Sequence, residues 1–227
     1  MASNSLASHS LDNYSRLRRG MAVIAFLLPL VLLLGGKWIY AVPTQTSISA
    51  YYYANENLRD ILVGVLFAVG TFLYLYKGEW WENLLLDIAG VCAVGIAIFE
   101  TAKGGDCSPD THGVTAHGIF AVLFFTAISV VCISVAVQKE DVKRTRRLGL
   151  RTPSYVSCAF VMLVTMIVGL VYSFFLPAPA KLALCNANVI FWLEAFGIWA
   201  FSTFWFLRTL ELDARVSWRP WRNDLEI

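Results

Sequence analysis

Charge is what this sequence has least of. Asp, Glu, Lys and Arg make up 15% of its 227 residues, where an ordinary soluble domain carries about 25%. The shortfall is concentrated in long charge-free runs, and apolar runs of about 18 residues or more are candidate transmembrane helices. Long polar chain is missing too: no soluble stretch exceeds roughly 20 residues, which excludes a separate globular domain. A net charge of only +2 argues against a nucleic-acid partner. Only three histidines are present, and H-E-x-x-H, C-x-x-C, a Gly-rich phosphate loop and a serine-hydrolase elbow are all lacking. No internal repeat or low-complexity segment interrupts the chain.

What is there is apolar and regular. Six runs are long enough to cross a bilayer, at about 21–40, 58–76, 84–99, 117–137, 155–176 and 187–207. The first ends in Lys37-Trp38-Ile39-Tyr40, aromatic residues beside a lysine as at a membrane–water interface. Only residues 77–83 join the second and third runs, so these are antiparallel neighbours. The expected fold is all-α, a six-transmembrane helical bundle. A cytoplasmic tail (1–19) precedes the membrane domain (20–210) and a second cytoplasmic tail (211–227) follows it. Basic residues precede the first run, but it is long and no small-x-small cleavage site follows, so a retained helix is expected. The Ser-rich, acid-poor first 19 residues also fit an organelle transit peptide loosely.

Orientation follows from the basic residues. Of 18 Lys and Arg, 14 fall in the tails and even-numbered loops, and only Lys37, Arg59, Lys103 and Lys181 fall at the other ends. Cytoplasmic loops are the Lys- and Arg-rich ones, so both termini are expected inside, in a plasma or inner membrane. The densest cluster, residues 139–151, and the 208–222 segment with Trp218 and Trp221 also suit anionic headgroups. Three of the five cysteines (Cys92, Cys132, Cys158) lie in apolar helices, where a thiol acts as a small hydrophobe. Cys107 and Cys185 lie in outer loops, and a pair on the oxidising side is a disulfide candidate.

Carboxylates in hydrocarbon are costly and usually face a cavity or a partner. Asp87 and Glu194 qualify, although Asp87 could snorkel to the inner interface near Lys77. Ala89, Ala93 and Ala97 form a small-residue stripe, which favours close helix packing over a hinge or pore lining. The outer ends collect polar groups, and the candidate ligand-binding rim is Ser49, Tyr52, Asp60, Glu100, His117 and Glu194. His117 is expected to hydrogen-bond Asp60 or Glu100 at the same membrane level and to titrate with the outer compartment. His112 and His117 are weak metal candidates, because five helical steps put them on different faces. His9 lies on the opposite side and cannot join them.

The stretch Ser47-Ile48-Ser49-Ala50-Tyr51-Tyr52-Tyr53, with Arg59-Asp60 and the Asp87–Ala97 pattern, resembles bacterial six-helix membrane proteins of unassigned function. The His117-Gly118-Ile119-Phe120 helix opening resembles the DRAM and Sfk-like families. The resemblance covers residues 45–130 and implies a six-helix bundle with a polar outer rim, but no reaction. Ceramidase and progestin-receptor-like hydrolases hold zinc with Ser, Asp and three His; this chain has no histidine after His117, so that set is incomplete. The leading expectation is a non-enzymatic protein that binds a lipid or small ligand at its outer rim, or scaffolds a membrane assembly as a homo-oligomer or complex. The alternative is a membrane-embedded hydrolase or transferase, with or without a metal, using His117 with Glu100, Asp60 or Glu194. No cofactor can be named from these residues.

Overall fold

A computed structural model describes residues 2–101, 115–137 and 151–217. Among these the chain is helical, with no strand. The helices are α1 (Ala2–Leu30), α2 (Gly36–Ile39), α3 (Tyr51–Ala54), α4 (Glu56–Leu75), α5 (Trp80–Ile98), α6 (Ala116–Val137), α7 (Arg151–Phe175), α8 (Ala178–Asn186) and α9 (Val189–Ser217). A π turn, Val31–Gly35, joins α1 to α2, just after Pro29, whose ring supplies no N–H to the helical ladder. Six segments are long and apolar enough to cross a membrane: Ser15–Ile39, Glu56–Leu75, Trp80–Ile98, Ala116–Val137, Pro153–Phe175 and Val189–Glu211. These are the six expected runs. The third starts four residues earlier than expected because Trp80 to Asn83 already wind into helix; the Asn83 carboxamide closes that start by accepting from the Gly78 N–H at 2.6 Å.

The six helices form a ring in chain order. Each long helix packs on its sequence neighbours, and α9 closes the ring against α1. The α4–α5 link, residues 76–79 alone, leaves those two helices no choice but to lie antiparallel side by side. With no hydrophobic driving force between helices in lipid, packing and interhelical hydrogen bonds decide the contacts. The α1–α9 seam shows both: Ser202 Oγ donates to the Ala22 carbonyl at 2.7 Å, and Trp199 Nε1 donates to the Phe26 carbonyl at 3.1 Å.

The tail end of the ring is filled and the other end is hollow. Phe124, Phe201, Phe204, Trp205, Tyr155 and Met162 pack together in the interior. Below them lies a polar cluster. Tyr76 Oη accepts from Arg18 Nη2 at 2.5 Å and Arg208 Nη2 at 3.4 Å, and the Arg18 guanidinium lies over its ring at 4.7 Å. Arg208 also approaches Glu82 at 3.9 Å and Glu211 at 3.8 Å. These side chains tie α1, α4, α5 and α9 together at one end. Among the described residues, Arg208 is thus met by two carboxylates, which is how charge is accommodated away from water.

The small-residue stripe of α5 does what tight packing requires. Ala89 and Ala93 are fully buried, and the neighbouring Gly90 lets two helix backbones approach each other. A Cβ on Gly90 would come within 2.7 Å of the Gly70 carbonyl, and one on Gly70 within 2.8 Å of the Gly90 carbonyl. The α4 and α5 backbones therefore touch, and only glycine fits. Asp87 does not line the cavity described below and makes no ion pair with Lys77; its Oδ1 is buried without a hydrogen-bond partner among the described residues. Gly90→Ala should force α4 and α5 apart and cost about 1–3 kcal/mol, as overpacking does. Gly64→Ala, with no atom within 4 Å of the new Cβ, should be neutral or stabilising. Melting temperatures of the two variants in detergent check this; equal behaviour would contradict the close crossing.

Candidate functional site

The hollow end lies where the odd-numbered connections leave the ring, and residues 41–55 build most of it. α2 stops at Tyr40, and Ala41 takes a left-handed φ of 54°, a strained conformation for an alanine. With Pro43 beyond it, this turns the chain back across the ring. The segment is then fixed at its middle. Thr46 offers its carbonyl to the Phe191 N–H at 2.9 Å, and the Ile48 N–H donates to Glu194 Oε2 at 2.6 Å. The first N–H groups of a helix have no intrahelical acceptor, so Thr46 serves one of the open donors of α9. That start is set by Asn188, whose φ of 52° suits asparagine better than most residues.

Within the turn, the Ala50 N–H donates to Ser47 Oγ at 3.1 Å, which opens the single helical turn α3. Ile48 and Tyr51 are buried with Leu28, Leu32, Leu58, Leu62, Phe191 and Ala195. The Tyr51 ring lies 6.1 Å from that of Phe191, and burial pushes its phenol up from the ordinary tyrosine range. Gly36 leaves room for this ring, since a Cβ there would sit 3.1 Å from it. Asn55 then caps α4, its side chain accepting from the Asn57 N–H at 2.9 Å.

The anchored turn presents Ser49 to α6. Ser49 Oγ lies 2.9 Å from His117 Nε2, and His117 Nδ1 lies 2.8 Å from the Phe99 carbonyl oxygen. A carbonyl only accepts, so Nδ1 carries a proton, and in the neutral ring Nε2 accepts from the serine hydroxyl. The Phe99 carbonyl is available because α5 ends at Ile98 and no later N–H of that helix reaches it. Phe99 stacks on Phe120 at 5.4 Å. That ring lies over Gly95, where a Cβ would come within 2.6 Å of it.

His117 thus contacts neither expected acid, and the expectation of a His117–carboxylate bond is corrected. Glu100 accepts instead from Tyr53 Oη at 2.9 Å. Burial first, and then Glu100, pushes the Tyr53 phenol up to about 12. Asp60 is well exposed on the outside of α4, 3.3 Å from Arg59, and does not share the site.

The other five rim residues converge. A cavity of about 560 Å³ opens inside the ring, with Ser49, Tyr52, Glu100, His117 and Glu194 at its mouth. They are joined there by Lys181 of α8, a buried residue read from sequence only as an outer charge. Lys181 Nζ donates to the Ser173 carbonyl at 2.8 Å. The deeper wall is apolar and includes Leu62, Leu66, Val69, Val122, Phe124 and Phe201. Among the described residues no three His, Cys, Asp or Glu side chains gather as a metal site; His112 lies outside them. Cys92, Cys132 and Cys158 are free and buried. Cys185 is buried and not among the free thiols, and its expected partner Cys107 lies outside the described residues, as does the 139–147 basic cluster.

Six helices of membrane length, ringed around a cavity with a polar mouth, make this a multi-pass integral membrane protein. A family model described as Protein of unknown function (DUF998) matches residues 22–193, and the chain belongs to that family. No curated protein and no solved structure matches the chain. The family match spans Ser49 and His117 and stops one residue short of Glu194.

Glu194 holds the turn from below, and its replacement separates acceptor from charge. Glu194→Ala should cost about 1.5–3 kcal/mol, as loss of a hydrogen bond to a charged group does, while Glu194→Gln, which keeps an oxygen acceptor, should recover most of that. Thermal unfolding in detergent measures both; equal losses would show that the Ile48 bond does not anchor the turn.

Proposed function

We propose that the protein binds one amphiphilic, lipid-like molecule inside the helix ring, its head at the polar mouth and its tail against the apolar wall. The polarity gradient of the cavity carries this reading. Pockets for a single small molecule are roughly 300–1,000 Å³, and this one falls in that range at about 560 Å³. Its mouth offers a lysine, two carboxylates, an imidazole and hydroxyls; its depth is mostly aliphatic and aromatic carbon, with Thr165 and Met166 of α7 the exceptions. A free polar solute would leave the apolar half unused, and a plain hydrocarbon would make no use of the polar mouth. A molecule with both parts matches both halves. The scaffolding alternative draws on no comparable feature.

The orientation is part of the same proposal. The 14-to-4 split of basic residues supports cytoplasmic termini in a plasma or inner membrane, so the mouth faces outward. A Cys107–Cys185 bridge would then lie on the oxidising side, close in sequence to Lys181. The distant likeness to DRAM and Sfk-like proteins is compatible with this arrangement and adds no chemistry to it.

Filling the cavity should abolish binding. Leu66→Trp places an indole in the apolar wall, and Phe160→Trp changes a residue 66% exposed on the outer surface. Native mass spectrometry with added lysophospholipid should find one molecule held by the wild type and by Phe160→Trp. Leu66→Trp should lose occupancy by roughly tenfold or more, about 1.4 kcal/mol of binding free energy. Equal occupancy of all three proteins would place the lipid outside the ring and overturn the proposal.

A further inference from the structure

We propose that Ser49 and His117 form a nucleophile–base pair that hydrolyses a carboxylic ester of the bound amphiphile, an inference that rests on the binding reading above. The pair meets the geometric requirement for an activated serine: a hydroxyl within hydrogen-bond reach of a base that a third group orients in turn. Ser49 Oγ is 2.9 Å from His117 Nε2, and the Phe99 carbonyl, 2.8 Å from Nδ1, holds the tautomer that leaves Nε2 free to take a proton. A main-chain carbonyl stands here where a carboxylate orients the histidine in the serine-protease arrangement. It supplies the orientation and part of the negative charge.

Position strengthens the case. In a single-chain acyl ester the reactive carbonyl joins the polar head to the apolar tail. Ser49 and His117 line the cavity at its polar mouth, directly above the apolar wall, so a molecule seated as proposed brings that carbonyl to their level. Lys181 lines the same mouth, and its positive charge favours the negative charge that builds on the carbonyl oxygen. The serine itself sits on a fixed turn. Thr46, Ser47 and Ile48, the three residues before it, are each held by a hydrogen bond, which gives the rigid support that reacting groups need. Glu194 is a positioning residue in this scheme, acting through Ile48.

The steps balance. Ser49 Oγ attacks the ester carbonyl carbon as its proton passes to His117 Nε2, giving a tetrahedral oxyanion. The oxyanion collapses, the bond to the alcohol oxygen breaks, and His117 returns the proton to that oxygen, leaving an acyl ester on Ser49. Water entering from the mouth then attacks the acyl carbon and gives its proton to His117. The bond to Ser49 Oγ breaks, the serine recovers the proton, and the carboxylic acid departs. No oxidant or reductant is consumed.

A long-chain alkyl fluorophosphonate tests this, since an activated serine displaces its fluoride and keeps the phosphonyl group. The full chain in a non-ester detergent should gain one adduct, mapped by mass spectrometry to Ser49. Ser49→Ala should show none, and His117→Gln should label at least ~100-fold more slowly, the low end of what a general base contributes. Occupancy by the unreactive alkyl phosphonate is read in parallel on all three proteins and also reports whether each variant is folded. Occupancy retained with Ser49 unlabelled in the wild type would overturn the hydrolytic pair and leave the binding reading standing. An adduct that persists in Ser49→Ala, or labelling undiminished in a His117→Gln protein that still binds, would also overturn it. Loss of occupancy in the wild type would remove the binding reading and this inference with it.

Discussion

Two hydrogen bonds between the first connection and the last helix hold the rest of the site in place. The Phe191 N–H, open because it begins a helix, finds the Thr46 carbonyl, and the Glu194 carboxylate, in the half of an apolar helix nearer the cavity mouth, finds the Ile48 N–H. Each side removes a cost carried by the other, since an unmet polar group away from water costs free energy. The consequence is geometric. The chain from Thr46 to Ala50 is pinned over the ring, Tyr51 is driven into the interior against Phe191, and Ser49 is turned toward His117. Burial of Ile48 and Tyr51 and the Ser49–His117 and Tyr53–Glu100 hydrogen bonds then complete the crossing of the cavity mouth that this anchor begins.

The two ends of the ring use polar groups differently. At the Arg18–Tyr76–Arg208 end, charges of opposite sign are packed together with Glu82 and Glu211. Buried ion pairs of this kind add little net stability, and they are best understood as setting which helices meet and at what level. At the other end polar side chains surround open space. Aromatic packing by Phe124, Phe201 and Phe204 in the interior separates the two and gives the cavity its floor.

Much of this was legible in the sequence, and the reasons are specific. The six helices follow from apolar run length alone. Ser49, Tyr52, Glu100, His117 and Glu194 could be assigned to one rim because hydropathy fixes how deep a residue lies in the membrane. Hydropathy does not say which way a helix faces. Asp60 lies near the start of α4 at the expected level, yet points away from the ring beside Arg59. The partners of His117 were missed for another reason: one is a backbone carbonyl, released by the end of α5 at Ile98, and a main-chain group leaves no mark in the residue pattern. Lys181 was read as a loop charge because nothing before the structure shows that α8 folds over the mouth. Glu82 and Arg208 sit at opposite ends of the chain's apolar segments, and only ring closure between α9 and α1 brings them near one another.

The central claim is that the interior of the ring, and not its outer surface, receives the tail of an amphiphile whose head lies at Ser49 and His117. Photocrosslinking with a single-chain acyl amphiphile carrying a diazirine near its tail end tests this most directly, with adducts mapped by peptide mass spectrometry. The account predicts adducts on inward residues such as Leu66, Val122 and Phe201, suppressed by excess unlabelled amphiphile. Adducts confined to outward residues such as Phe160 and Ile167, and undiminished by competitor, would contradict it.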